Sequence, residues 1–226
     1  MSLNHTGVAL IVGGSSGMGL ESAKLLVAQG IEVVIVGRNE VKLKHAIDEL
    51  TSIGKASLIK ADLYQPEGIQ TLLAFINGEN TQVRYLVNAA GYFSPKPFVE
   101  HTMDDYDIYM GLNKAIFQIS QAVAQNMSRD DAHGGSIVNV GSMWAKQAIK
   151  ATPSSAYSMA KAGLHALTQH MAMELAEAGI RVNAVSPAVV KTPIYESFIE
   201  PAEVDEALEG FNDSVSYTHQ TLPTKA

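Results

Sequence analysis

The chain of 226 residues is 46% hydrophobic and 17% charged, which suits one ordinary globular domain with a sizeable core. Its net charge is −7 and its sequence pI is about 5.5, without a basic stripe, so nucleic acids and anionic membrane surfaces are poor partners for it. The chain contains no cysteine, which excludes disulfides and cysteine-based metal sites or nucleophiles.

Short apolar, β-branched runs alternate with amphipathic stretches along the chain. In chain order we predict a strand at 8–12, a helix at 17–29, a strand at 32–36, a helix at about 39–52, a strand at 56–60, a helix at 66–77, a strand at 83–87, helical residues at 103–128 in one or two pieces, a strand at 136–140, a helix at 155–178 and a strand at 181–185. Strands this apolar need cover on both faces, and the alternation indicates βαβ units with right-handed crossovers. We therefore expect an α/β fold, a Rossmann-type doubly wound parallel sheet with helices on both faces, whose ligands bind at the carboxyl ends of the strands.

The first predicted strand runs into a glycine loop, Gly13-Gly14-Ser15-Ser16-Gly17-Met18-Gly19. Glycine allows the backbone to approach a phosphate closely, and the N-terminus of the following helix favours an anion. The spacing Gly-x-x-x-Gly-x-Gly differs from the common Gly-x-Gly-x-x-Gly fingerprint, and no Lys-Ser/Thr pair follows as it does in a P-loop. We expect a dinucleotide-binding loop, and the alternative is a tight turn between a strand and a helix.

Tyr157 and Lys161 lie four residues apart in a predicted helix and therefore share one face of it. A free tyrosine titrates near pH ~10, and a cation held beside it favours phenolate and lowers its pKa toward the working range. Ser142, shortly upstream, could then hold an oxygen next to the phenol. The trio suits general acid–base chemistry, while an ordinary surface pair of Tyr157 and Lys161 is the alternative.

Further motifs follow the glycine loop in order: Asn88-Ala89-Ala90-Gly91 after the fourth strand, then Asn113, Ser142, Tyr157 and Lys161. Together they resemble the short-chain dehydrogenase/reductase (SDR) family over about residues 7–195. The resemblance implies that Tyr157 is the general acid/base, and that Lys161 holds the nicotinamide ribose hydroxyls and lowers the phenol pKa. It also implies that Ser142 hydrogen-bonds the substrate oxygen and that Asn113 steadies a water in a proton relay. From the residues alone, Asn113 could instead cap or kink a helix, and Ser142 could be an ordinary polar residue after a strand.

The end of the second strand predicts NADP(H) rather than NAD(H), although NAD(H) stays an alternative. An acidic residue normally follows this strand in NAD-binding proteins and bonds the ribose 2′-OH, but here Gly37 and Arg38 occur. Gly37 leaves space and the planar fork of Arg38 can pair with a 2′-phosphate, unless Arg38 is merely a solvent-exposed arginine. By the resemblance, Asp62 matches the adenine contact and Thr192 the nicotinamide carboxamide contact. The full predicted cofactor set is Gly13, Ser15, Ser16, Gly17, Met18, Gly19, Arg38, Asn39, Asp62, Leu63, Asn88, Ala89, Ala90, Gly91, Tyr157, Lys161, Pro187, Val190 and Thr192.

The predicted substrate contacts are Ser142, Met143, Trp144, Tyr157 and Tyr195. Further pocket candidates are Tyr92, Phe93, Ser94, Ala151 and Val189. This apolar set favours a neutral or hydrophobic carbonyl compound over a phosphorylated sugar, and no metal site is expected. We therefore predict an oxidoreductase that transfers a hydride between NADP(H) and an alcohol or carbonyl group. The alternatives are a non-catalytic NAD(P)-binding protein and an inactive truncated fragment of such an enzyme.

Four positions near the expected cofactor depart from the family pattern. Val12 stands in place of threonine, Ala89 in place of asparagine, Gly141 in place of a common serine and Ala188 in place of glycine. These substitutions leave Ser142, Tyr157 and Lys161 intact.

We expect one catalytic domain at residues 1–214 with a substrate lid at about 192–210, and a cytoplasmic protein because no signal peptide is apparent. Residues 215–226 resemble a translated sequencing adapter apart from Gln220, so we expect a non-native tail; a genuine divergent tail is the alternative. On this expectation the last helix and the C-terminal strand of the family fold are missing. The resemblance implies a homo-oligomer through helices at about 113–128 and 157–177. With the C-terminal region missing, we expect a dimer or an aggregation-prone protein rather than a tetramer.

Overall fold

The computed structural model describes residues 6–129, 134–148, 152–188, 190–194, 199–200, 202–204, 206 and 208. The strands in these ranges are β1 (Val8–Val12), β2 (Glu32–Gly37), β3 (Ala56–Lys60), β4 (Val83–Asn88), β5 (Gly135–Val140) and β6 (Ile180–Val185). The α-helices are α1 (Gly17–Ala28), α2 (Glu40–Thr51), α3 (Pro66–Ile76), α4 (Met103–Met127) and α5 (Ser155–Glu174). Short 3-10 helices lie at Phe98–Glu100 and Met143–Ala145.

The strands form one sheet in the order β3-β2-β1-β4-β5-β6, and every neighbouring pair is parallel. The chain builds outward from β1 to β3 in one direction and from β4 to β6 in the other. This order confirms the predicted doubly wound parallel sheet. The crevice where the direction reverses, between the carboxyl ends of β1 and β4, is where sheets of this kind bind their ligands.

Buried apolar side chains pack in two layers, one on each face of the sheet. On β1, Ala9 and Ile11 belong to the layer that contains α1 and α2, whereas Leu10 and Val12 belong to the layer that contains α3, α4 and α5. Successive side chains of a strand point to opposite faces, so this alternation fixes which helices lie on which side. The expected cover on both faces is therefore confirmed for the central strands.

The two edge strands correct the expectation that every strand is covered on both faces. Leu58 of β3 is 37% exposed and Val185 of β6 is 55% exposed. Helix α5 packs on one face of β6, and the alternate residues Arg181 and Asn183 are exposed with Val185 on the other. Among the described strands each of these two has a neighbour on one side only, and apolar composition alone overstated their burial.

Two predicted helices differ from the structure in length or continuity. Residues 103–128 do not form two pieces: α4 runs unbroken, and Thr102 and Asp105 form a capping box at its start. The helix predicted at 155–178 ends at Glu174. Turns follow it, with the Ala178 N–H donating to the Leu175 carbonyl and Gly179 at φ +69, so the chain reverses into β6.

Some predicted features lie outside the described residues. These are the substrate candidates Ala151, Val189 and Tyr195, part of the lid at 192–210 and residues 215–226. Where the chain is described, no helix has the length and apolar character needed to cross a membrane.

Candidate active site

Two adjoining pockets lie at the carboxyl ends of the strands. The larger, a cleft of about 480 Å³, runs from β1 to the ends of β2 and β4. Its lining includes the predicted cofactor residues Gly13, Ser15, Ser16, Gly17, Met18, Arg38, Asn39, Asp62, Leu63, Ala89, Ala90, Gly91 and Thr192. The smaller pocket, of about 70 Å³, is lined by Ser142, Trp144, Tyr157, Pro187 and Val190 among others. Met18 and Thr192 line both pockets, so the predicted cofactor and substrate residues meet there.

The glycine loop brings three backbone segments close together at the head of the cleft. Gly13 has φ +83, and a Cβ at this position would lie 2.5 Å from the Ala90 nitrogen. A Cβ at Gly19 would collide with the Gly13 carbonyl oxygen, so Gly19 serves the turn and does not itself line the cleft. Glycine is therefore required sterically at both positions.

The N-terminus of α1 is suited to an anion. Ser16, the N-cap residue, makes no side-chain capping bond, and the first turn carries no acidic residue. Ser16 and Gly17 line the cleft, so the positive end of the helix dipole meets it. A diphosphate fits this donor set of backbone N–H groups and serine hydroxyls.

The far end of the cleft is positively charged. The Arg38 guanidinium lies over the ring of Tyr64, 5.9 Å from its centroid. Asn39 caps α2 by accepting a 3.0 Å hydrogen bond from the Lys42 N–H, and Lys42 also lines the cleft. Sequence reasoning missed Lys42, although the Asn39-x-x-Lys42 pattern at the start of α2 could have revealed it. It also missed Tyr64, because no local sequence signal shows that this ring lies under Arg38.

Glu40 is the acidic residue of α2 closest in sequence to the end of β2, and it already forms ion pairs with two lysines. Glu40 bonds Lys60 at 2.8 Å and Lys44 at 3.0 Å, and these two lysines lower its pKa to about 2. Asp62, which lines the cleft, accepts a 3.1 Å hydrogen bond from the Tyr64 N–H. Glu40 is thus held by lysines and does not stand in for the missing acidic residue at the end of β2.

Ser142, just after β5, and Tyr157, on α5, line the smaller pocket. Ser142 is buried and begins the 3-10 helix at Met143–Ala145, where its Oγ accepts a 3.3 Å hydrogen bond from the Trp144 N–H. The Tyr157 ring packs edge-on against Phe93, with ring centroids 4.7 Å apart, and against Tyr109 at 5.9 Å. This packing fixes the position of the phenol ring beside Ser142.

Lys161 lies behind Tyr157 on the same face of α5, as the four-residue spacing predicted. Its Nζ is 5.7 Å from the centroid of the Tyr157 ring and donates a 2.7 Å hydrogen bond to the Val140 carbonyl. Burial lowers the pKa of Lys161 to about 8, which still leaves it mostly protonated at pH 7. The two residues are therefore not an exposed surface pair.

A chain of buried polar side chains runs beneath the site. Asn88 Nδ2 donates to Ser120 Oγ at 3.0 Å and to Asn139 Oδ1 at 2.8 Å, and Asn139 Nδ2 donates to Thr168 Oγ1 at 2.9 Å. These bonds join β4 and β5 to α4 and α5. Asn113 lies in the interior of α4 and does not cap it, and its Nδ2 donates across to the Ala160 carbonyl of α5 at 2.8 Å. Contacts of Asn88 with a cofactor and of Asn113 with a water stay predictions.

The substrate candidates occupy different places. Trp144 is buried, packs its ring 6.2 Å from that of Phe93 and has no hydrogen-bond acceptor for Nε1 in the described structure. Tyr92 and Phe93 line the larger cleft, and Phe93 the smaller pocket too. Ser94 is instead bound through its backbone to the Tyr109 hydroxyl, with two hydrogen bonds of 3.1 Å. Met143 is absent from the described lining of both pockets.

Comparisons with known proteins give a consistent result. The family model described as short chain dehydrogenase matches residues 7–202. An uncharacterised oxidoreductase of Staphylococcus epidermidis is 30% identical over 190 residues, which cover 84% of this chain and 80% of the relative. A short-chain type dehydrogenase/reductase from Mycobacterium marinum superposes with a TM-score of 0.80 at 31% identity, covering 90% of this chain and 79% of that one. L-Sorbose reductase from Gluconobacter frateurii, solved with NADPH and L-sorbose, superposes with a TM-score of 0.82 at 26% identity, covering 96% and 83%.

The buried ammonium of Lys161 predicts a gain in stability when it is removed. A folded-state pKa of about 8, against 10.5 for an ordinary lysine, corresponds to a cost of about 3 kcal/mol at neutral pH. Replacing the lysine also loses the bond from its charged ammonium to Val140, worth about 1.5–3 kcal/mol, so Lys161→Met should raise the free energy of unfolding at pH 7 by up to about 1.5 kcal/mol. Urea unfolding measures this, with the exposed Lys114→Met as the control.

The pH dependence of the same experiment has a definite sign. Between pH 8 and 10.5 the native protein has released the Lys161 proton while the unfolded chain still binds it, so wild-type stability rises with pH. The advantage of Lys161→Met should therefore shrink across this window. A variant clearly less stable than wild type at pH 7 would contradict the expectation.

Proposed function

The chain belongs to the short-chain dehydrogenase family, which confirms the resemblance seen in its motifs, and we propose that it is an NADP(H)-dependent oxidoreductase interconverting an alcohol and a carbonyl group. The observation that carries this proposal is the meeting of Ser142, Tyr157 and Lys161 beside a cleft suited to a dinucleotide. The small pocket has little charge, which supports a neutral carbonyl substrate. The structurally similar L-sorbose reductase, solved with NADPH and an uncharged sugar, is in line with this substrate class.

The residues of the cleft fit a dinucleotide from end to end. The glycine loop and the N-terminus of α1 would hold the diphosphate, and Asp62 and Leu63 the adenine. Arg38 and Lys42 would hold a 2′-phosphate, for which their charges are suited. Pro187, Val190 and Thr192 would border the nicotinamide next to Tyr157. When bound, the nicotinamide supplies or accepts the hydride.

Proton transfer and the positioning of the reacting groups fall to Tyr157, Ser142 and Lys161. The Tyr157 hydroxyl gives a proton to, or takes one from, the substrate oxygen, and the Ser142 Oγ holds that oxygen in place. The Lys161 ammonium favours the phenolate form of Tyr157 and would also bind the ribose hydroxyls. Phe93 and Trp144 form apolar walls that keep water from the reacting atoms. We propose, as the resemblance implies, that Asn113 steadies a water in the proton relay.

Tyr157→Phe tests the chemical step. The variant keeps the ring that packs on Phe93 and Tyr109 but loses the proton-transfer group, so kcat/KM should fall by about 10²–10⁴-fold with little change in NADPH affinity. Oxidation of NADPH with a panel of neutral ketones, aldehydes and ketoses measures turnover, and fluorescence titration measures binding. Tyr106→Phe, in the same aromatic cluster, is the matched control.

The two alternative functions predict different outcomes of this experiment. A non-catalytic binding protein would bind NADPH and raise its melting temperature without turning over any carbonyl. An inactive fragment would show neither binding nor turnover. Equal activity in Tyr157→Phe and wild type would remove Tyr157 from its proposed role.

Arg38→Ala tests the cofactor preference. The wild type should have a higher kcat/KM with NADPH than with NADH, because Arg38 can form a charge-assisted pair with the 2′-phosphate. The substitution should lower kcat/KM for NADPH by about 10–100-fold and leave NADH nearly unchanged. Lys55→Ala, an equal change in net charge remote from the cleft, should alter neither value. An NADH-favouring wild type, or equal losses with both cofactors, would overturn the NADP(H) assignment.

We also propose a homodimer through the outer face of α4 and α5. A mainly apolar groove of about 620 Å³ lies between these helices, with Phe117 51% exposed and Leu167 and Met171 along its floor. An apolar surface of this kind on paired helices suits a two-fold interface in which the same patch meets its copy. The groove lies between the helices at about 113–128 and 157–177, through which the family resemblance implies an oligomer.

Light scattering during size-exclusion chromatography tests this interface. The wild type should elute as a dimer, and Phe117→Glu should shift it to monomer because a charge would be buried against its copy. Phe98→Glu provides the control, since Phe98 is 78% exposed and lies outside the groove. A monomeric wild type at all concentrations would disprove the proposed interface.

A further inference from the structure

His165 lies on α5 one turn beyond Lys161, with its ring between the ends of β5 and β6. Its Nε2 is 2.9 Å from the Ser186 Oγ, just after β6. The ring also lies against the backbone of Gly141, directly before Ser142, because the two nearest atoms to a Cβ built at position 141 belong to it. One imidazole thus contacts the backbone beside Ser142, which would hold the substrate oxygen, and the segment that leads into Pro187 at the nicotinamide end.

Gly141 makes room for this imidazole. A Cβ at position 141 would lie 2.5 Å from the His165 Nε2 and 2.9 Å from its Cε1. The backbone of Gly141 is not in the left-handed region, so its own conformation does not demand glycine. The steric demand of His165 therefore accounts for glycine at the position where serine is common in the family.

Backbone hydrogen bonds join the same two strand ends on either side of the imidazole. The Gly141 N–H donates to the Val185 carbonyl at 2.7 Å, and the Met143 N–H donates to the Pro187 carbonyl at 3.1 Å. Ser142 and Ser186 lie between these two bonds, and the His165 ring bonds Ser186 and lies against Gly141 beside Ser142. These contacts together hold the residues that follow β5 against the residues that follow β6.

We propose that His165 is a positioning residue that keeps Ser142 and the Ser186–Pro187 segment at a fixed separation during the reaction. This inference rests on the proposed oxidoreductase function, because the two segments would carry the substrate oxygen and the nicotinamide. Transfer between two bound groups is sensitive to their distance, and a misplacement of about 1 Å can cost about 10²-fold in rate. Loss of the imidazole should therefore act on kcat more than on cofactor binding.

Burial and nearby positive charges favour the neutral form of the ring. Burial lowers the pKa of His165, and so do the ammonium groups of Lys146, after the 3-10 helix, and Lys161, on α5; the Ser142 backbone opposes them. A neutral ring has one donor and one acceptor nitrogen, so its Nε2 can hydrogen-bond the Ser186 hydroxyl in either tautomer. Protonation turns both nitrogens into donors and changes this hydrogen bonding.

Substitution of His165 by Ala and by Gln tests the proposal in an enzyme whose wild-type turnover has first been established. His165→Ala should lower kcat about tenfold while the Kd for NADPH stays within about twofold. His165→Gln, which retains a donor and an acceptor, should recover most of that loss. When kcat is measured against pH, the fall in wild-type kcat that accompanies protonation of His165 at low pH should be absent in His165→Gln. His45→Ala, an exposed histidine of α2, should match wild type.

A double-mutant cycle with Gly141→Ala separates this role from general packing. In the wild-type background the added methyl should displace the ring and lower kcat to about the level of His165→Ala. In the His165→Ala background the closest remaining neighbour of the methyl is the Val185 carbonyl oxygen at 3.3 Å, so the methyl should cost much less there and the two losses should be strongly non-additive.

Three results would overturn the inference. One is an unchanged kcat in His165→Ala; another is an equal loss in the Ala and Gln variants that follows their melting temperatures; the third is additive losses in the cycle. Each leaves wild-type turnover, and so the proposed function, standing. A wild type that binds NADPH but reduces no carbonyl overturns the proposed function and this inference with it.

Discussion

The parallel hydrogen-bond pairing of the six strands is the constraint on which the site depends. Because all strands run in one direction, their carboxyl ends meet along a single edge. The residues that follow those ends therefore come together: the glycine loop after β1, Arg38 after β2, Ala89 after β4, Ser142 after β5 and Pro187 after β6. Residues separated by more than a hundred positions in the chain share one crevice for this reason alone.

Polar groups buried under that edge hold α4 and α5 in place. The bonds from Asn88 through Asn139 to Thr168 run inside a layer that is otherwise apolar, where an unpaired polar atom would be costly. They determine the position of α5, which carries Tyr157 and Lys161. Lys161 adds a cost of its own, since its ammonium is buried with the Val140 carbonyl as its described partner. The protein thus gives up some stability at the place where the proposed chemistry needs a cation.

Close contacts account for two of the departures from the family pattern. A Cβ at Gly19 would lie 3.2 Å from the Ala89 Cβ, so the small residue at position 89 packs directly against the glycine turn. Gly141 and His165 form a matched pair, in which the absence of one side chain makes room for the other. For Val12 the structure shows a fully buried position in the core, where an apolar side chain is at home. The position of Ala188 has no comparable explanation.

The sequence by itself determined most of the described elements and which residues are candidates for the site. Within the described residues, periodicity located the six strands and five α-helices to within a few residues, and the spacing of Tyr157 and Lys161 placed both on one helical face. These features are local, so a strand or a turn of helix expresses them directly.

Only the tertiary structure decided the rest. It set the exposure of β3 and β6, the end of α5 at Glu174, the ring of Tyr64 under Arg38 and the hydrogen bond between His165 and Ser186. Each of these depends on which element lies beside which. Arg38 and Tyr64 are far apart in the chain and touch only because β2 and β3 are neighbours with parallel ends. The amino-acid sequence shows the periodicity of each helix or strand. Contacts between elements arise from packing and leave no periodic signal in the sequence.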